Sequence, residues 1–151
     1  MKFIAFSLFV FVTLLQLGQL NAREVLRNDE WPTPELLKFL APIRKKCQAQ
    51  IGISDEAIKE YDVGDSLDAK QSVKCYMACI FRESNAIAPN GDVNMSTFEP
   101  LLSNMSDELK TALGKLFVAC PGNMTAEDDC ERIYLHSRCM KEADPKIYFL
   151  I

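Results

Sequence analysis

Histidine is almost missing from this chain: His136 is the only one in 151 residues. That scarcity removes most of the apparatus of secreted hydrolases, which lean on histidine as general base or metal ligand. No Gly-x-Ser-x-Gly elbow and no phosphate-binding glycine loop is present either. A secreted phospholipase would need histidine beside paired cysteines and a glycine-rich calcium loop, and neither occurs. The chain is therefore read as a non-enzyme that needs no metal or cofactor, and His136 as a surface or wall residue. A dense basic patch is also lacking, against a formal net charge of −4, which argues against nucleic acid as a partner. No segment alternates Val, Ile and Thr with polar residues, so strands are not expected.

Long apolar runs are absent too, with one exception. Phe3 to Leu15 is a 13-residue apolar stretch behind Lys2. It falls short of the roughly 20 residues of a membrane span. It fits the core of a secretory signal peptide. Cleavage is placed after Ala22, with Gly18 as the alternative because Leu20 is a poor small residue. That leaves residues 23–151 as one domain, long enough to bury a core, in an extracellular compartment.

What the chain does have is cysteine. All six, at 47, 75, 79, 120, 130 and 139, follow the leader. An even count in a secreted chain reads as three disulfides. Zinc sites usually show two residues between paired cysteines, with histidine assisting. Here the closest pair has three between.

Proline, glycine and capping residues divide the rest into helices. Thr33 and Pro34 open the first, with Leu36, Leu37, Phe39, Leu40 and Ile43 as its apolar face and Pro42 expected to kink or divide it. Ser54 starts a second that ends near Tyr61. A third spans about Lys70 to Glu83. Asn90-Gly91-Asp92 marks a turn. A fourth starts near Ser96, which has capping-box spacing to Glu99. Ser106 opens a fifth to about Ala119. Thr125 and Asp128 open a sixth to about Met140, and Asp144-Pro145 stops it.

Helical geometry restricts the disulfides. Cys75 and Cys79 share a face one turn apart, with Cβ atoms roughly 5–6 Å apart, whereas a bridge needs about 3.8 Å. Cys130 and Cys139 lie on opposite faces about 13 Å apart. Six cysteines allow fifteen pairings. Each exclusion removes three and one case is shared, so ten remain open.

The spacings of 27, 3, 40, 9 and 8 intervening residues, with Lys74-Cys-Tyr-Met-Ala-Cys79, Gly52–Ile58, Asn90–Val93 and Ala143–Ile151, resemble the insect pheromone- and odorant-binding family over nearly the whole mature chain. The resemblance implies an all-α fold of six helices around an internal hydrophobic cavity. It implies the pairs Cys47–Cys79, Cys75–Cys130 and Cys120–Cys139. It further implies a carrier of odorants, pheromones or similar apolar ligands in sensillar lymph or another body fluid, as a monomer or weak homodimer, with a membrane odorant receptor as a further partner. A protein of the same fold that scavenges ligands or binds a protein partner is the alternative.

Candidate lining residues are Leu36, Leu40, Ile43, Leu67, Val73, Tyr76, Met77, Ile80, Phe98, Leu101, Leu102, Leu113, Phe117, Ile133, Phe149 and Leu150. Periodicity alone would suit a filled core equally well. The apolar end, Lys146-Ile-Tyr-Phe-Leu-Ile151, would be an aggregation hazard if exposed and is expected to fold inward. By the resemblance, Arg44, Tyr76 and the Ile151 carboxylate form a latch that acid would loosen. Asn94, Asn104 and Asn123 begin Asn-x-Ser/Thr sequons and are glycosylation candidates. Each lies near a helix start, where capping is the preferred reading.

Overall fold

The computed structural model describes residues 31–88, 92–122, 124–126 and 128–151. The expected leader, the Asn90-Gly91 turn and Asn123 lie outside them. Thr33–Ile151 forms one compact unit, which holds the described helices.

Among the described residues six helices follow in order: α1 Pro34–Ile51, α2 Asp55–Val63, α3 Gln71–Glu83, α4 Met95–Leu102, α5 Asp107–Ala119 and α6 Asp129–Ala143. The only β-type pairing among the described residues is an isolated bridge between Ile87 and Val93. None of the described helices is long and apolar enough to cross a membrane.

Side-chain caps set four of the six starts. Thr33, Ser54, Ser106 and Asp128 each accept a hydrogen bond from a backbone N–H of the first turn. Gly52 closes α1 at φ 70°, a left-handed conformation that costs glycine little, and its N–H returns to Gln48 O.

Three readings of the sequence need correction. Pro42 does not divide α1, which runs unbroken over 18 residues. Pro42 and Lys38, four positions back, are both exposed, so water can satisfy the Lys38 carbonyl that loses its donor. Leu37 and Phe39 do not share the buried face: they are 43% and 36% exposed, whereas Leu36 and Leu40 are buried. Ser96 does not cap α4. It lies inside the helix and donates to Asn94 Oδ1 at 2.7 Å, and Asn94 occupies the cap position without capping.

Helix α3 is the centre. Val73, Tyr76, Met77, Ala78, Cys79 and Ile80 are all buried, a band wider than one stripe, as befits a helix covered on several sides. It packs most extensively on α6 and next on α1. Disulfides Cys47–Cys79 and Cys75–Cys130 tie it to those two helices, and Cys120–Cys139 ties the end of α5 to α6. This is one of the ten arrangements that helix geometry leaves open.

Candidate functional site at the C-terminal tail

Beyond α6 the chain reverses. Asp144 Oδ1 accepts from Lys146 N at 3.0 Å and Ile147 N at 3.4 Å, a side-chain turn that redirects the backbone. The tail then folds inward. Tyr148 and Ile151 are buried, and Ile147, Phe149 and Leu150 half-buried. Each fully buried side chain of this size contributes about 1.5–3 kcal/mol relative to exposure.

Polar contacts fix the tail to two helices. On α3, the Tyr76 hydroxyl donates to the main-chain oxygen of Ile151. Tyr76 is fully buried, and burial pushes its phenol up to about 12, against a lowering influence from Arg44. It therefore remains a donor at any physiological pH. On α2, Asp62 Oδ1 accepts from Leu150 N at 2.6 Å. Tyr61 of α2 meets Tyr148 edge to face, with centroids 6.4 Å apart.

Arg44 does not complete this arrangement. Its guanidinium donates to Asp55 Oδ1 at 2.5 Å, and Gln48 Nε2 donates to the same oxygen at 2.5 Å. The physical reason is position: Asp55 opens α2 beside the α1 face that carries Arg44 and Gln48. These bonds hold the Asp55 carboxyl below the usual carboxylate range. Of the three residues expected to form a latch, the structure joins Tyr76 and Ile151, and directs Arg44 to the α1–α2 junction.

A buried lysine, not singled out in the sequence, secures α2 and the tail together. Lys141, in the last turn of α6, is 3% exposed. Its ammonium donates to Tyr61 O and, at 3.0 Å, to Ser66 O. It also stands 4.2 Å from the Tyr61 ring centroid and 6.0 Å from that of Tyr148. A cation on carbonyls at the C-terminal end of α2 offsets the negative pole of that helix and caps it from another element. Helix α2 carries no cysteine and packs sparingly on α3, so these contacts hold it together with the bonds to Asp55 and Asp62.

His136 is an interior residue, which corrects its assignment to the surface. It is fully buried, edge-on to Phe81 at 5.6 Å, and neither ring nitrogen has a hydrogen-bond partner within range. Burial lowers its pKa from 6.5, opposed by the nearby carbonyls of Pro121 and Cys120.

Among the expected lining residues, Leu40, Val73, Tyr76, Met77, Ile80, Leu113 and Ile133 are buried; Ile43, Leu67, Phe98, Leu102, Phe117, Phe149 and Leu150 are half-buried. Phe98 of α4 stacks on Phe117 of α5 with centroids 6.3 Å apart. An open cleft of about 680 Å³ lies elsewhere, between α5 and the end of α6, and is bordered by Asp107, Glu108, Thr111, Lys115 and Asp144 among others. None of the expected lining residues borders it.

The sequence pattern of pheromone- and general odorant-binding proteins matches residues 30–143. The chain belongs to the PBP/GOBP family. The family of insect odorant-binding proteins accounts for the helical shell and the disulfides that define this fold. The B1 protein of Tenebrio molitor is 28% identical over 76 residues, half of this chain; the chain spans 58% of that relative's length. Odorant binding protein 5 of Apis mellifera superposes with a TM-score of 0.65 at 20% identity, over 81% of this chain and 99% of its own. Odorant binding protein 4 of Chrysopa pallens gives 0.63 at 27% identity, over 79% and 98%. Odorant binding protein 7 of Anopheles gambiae, solved with four disulfide bridges in complex with an azo compound, gives 0.59 at 21% identity, over 80% and 98%. The family match stops at Ala143, so the tail and its contacts with Asp62 and Tyr76 lie beyond it.

Proposed function

We propose that this PBP/GOBP-family protein is a secreted carrier that holds odorants, pheromones or similar apolar molecules in an internal cavity and transports them through extracellular fluid. The observation that carries this reading is the tail. Its apolar side chains turn inward and are pinned to α2 and α3, an arrangement suited to closing a ligand chamber. Apolar chambers bind by removing ligand surface from water. The half-buried Phe98, Leu102, Phe117, Phe149 and Leu150 are the proposed adaptable part of the wall. Family and fold both favour a small-ligand carrier, and the Anopheles neighbour was solved with such a ligand. The carrier works as a monomer or weak homodimer and delivers its load to a membrane receptor. Its latch is the bond from the Tyr76 hydroxyl to the main-chain oxygen of Ile151.

Displacement of N-phenylnaphthylamine fluorescence by apolar ligands tests the reading. Binding at neutral pH that weakens on deletion of Tyr148–Ile151 supports it. Failure to bind any apolar probe, with a filled core, would turn the assignment toward a protein-binding role.

A further inference from the structure

The three sequons compete with helix capping as an explanation for their asparagines, and the structure resolves that competition for two of them. Asn94 stands at the cap position of α4 but makes no capping bond. It is half-buried; its N–H donates to Ala86 O at 2.8 Å, and its Oδ1 accepts from Ser96. It is thus held between the Ile87–Val93 bridge and α4. Asn104 differs. It is exposed, in the turn between α4 and α5, and it caps nothing: Ser106 caps α5, accepting from Leu109 N at 3.3 Å. Met105, between them, is buried and anchors the turn. Asn104 is exposed and takes no part in the capping bond of α5.

We infer that Asn104, and not Asn94, is an N-glycan acceptor of the secreted protein, an inference that rests on the secretory reading above. The donor class is a lipid pyrophosphate-linked oligosaccharide. Asn104 Nδ2 bonds to the anomeric carbon, the carbon–oxygen bond to pyrophosphate breaks with its electron pair leaving on the lipid pyrophosphate, and the amide nitrogen gives up one proton. Transfer competes with folding of the emerging chain. The exposed α4–α5 turn stays open to modification through that competition, whereas the half-buried corner beside the Ile87–Val93 bridge withdraws Asn94.

The test is translation of the full chain with microsomes, followed by release of glycans in ¹⁸O-water by an N-glycanase that accepts insect-type cores, and peptide mapping. The expected result is a protease-protected chain with ¹⁸O-labelled aspartate at position 104 and unmodified Asn94, and loss of that label in Asn104→Gln. A protected chain with Asn104 unmodified, or with Asn94 occupied to the same extent, overturns the inference while leaving secretion intact. A chain that stays outside the microsomes overturns both.

Discussion

The Tyr76 hydroxyl donates to the main-chain oxygen of Ile151, so a residue in the middle of the central helix holds the end of the chain 75 positions later. Replacing Tyr76 by Phe keeps the ring and deletes the bond. A hydrogen bond of this kind contributes about 0.5–1.5 kcal/mol. Amide exchange at Ile147–Leu150 should speed up several-fold, with little change in α3, and probe affinity at neutral pH should fall. Unchanged tail exchange in Tyr76→Phe counts against the latch.

The two buried phenols with raised pKa give an independent readout. Tyr61 and Tyr76 are pushed to about 12, chiefly by burial. A group raised in the folded state stabilises below its ordinary value, here 10.0, and loses that contribution as pH rises through the folded value. Phenolate absorbance should show two late-titrating tyrosines, and base should destabilise the protein between pH 10 and about 12. Tyr76→Phe should remove one of the two.

Lys141 is predicted to be the costliest surface-type residue to remove, because it is not at the surface. Lys141→Met fills similar volume but leaves the Tyr61 and Ser66 carbonyls without this donor. Each unsatisfied buried acceptor costs about 1–3 kcal/mol. Thermal unfolding should shift downward, and exchange should rise in α2 and the tail together. Exchange confined to α6 would refute the coupling.

His136 predicts the acid limb of stability. Its pKa is lowered by burial, so the unfolded chain takes the proton first. Stability is then full above the ordinary value of 6.5 and declines as pH falls below it. The slope from one such group is at most about 1.4 kcal/mol per pH unit. Urea unfolding at a series of pH values should show this decline, and His136→Leu should flatten it.

The disulfides should rank by loop length. Cys75–Cys130 spans 55 residues and Cys120–Cys139 spans 19. Loop-closure entropy makes removal of the longer one costlier by about 1 kcal/mol. Paired serine variants compared by denaturant unfolding measure the difference, and an equal or reversed order would speak against an entropic origin.

Much of this was written locally. Thr33, Ser54, Ser106 and Asp128 announce their helices because a cap is a contact over three residues. The inward tail was legible because six mostly apolar residues cannot lie in water. Several misreadings concern partners distant in sequence. Arg44 meets Asp55 only once α1 and α2 are packed. His136 and Lys141 sit among Arg132, Arg138 and Glu142, which make α6 look polar, and only the covering of α6 by α3 and α5, and of its end by α2 and the tail, puts them inside. Asp62 carries no local sign that it will accept Leu150 N. Ser96 was misleading because its spacing to Glu99 imitates a capping box that the backbone one residue earlier pre-empts.

Helix α4 contains no fully buried residue and no cysteine. Substitutions there neither open holes in the fully buried core nor disturb a covalent tie, and Phe98 and Leu102 are only half-buried. Tolerance to substitution and structural integrity therefore lie in different stretches of the same small protein: this short helix can change at little cost to the stapled centre at α3.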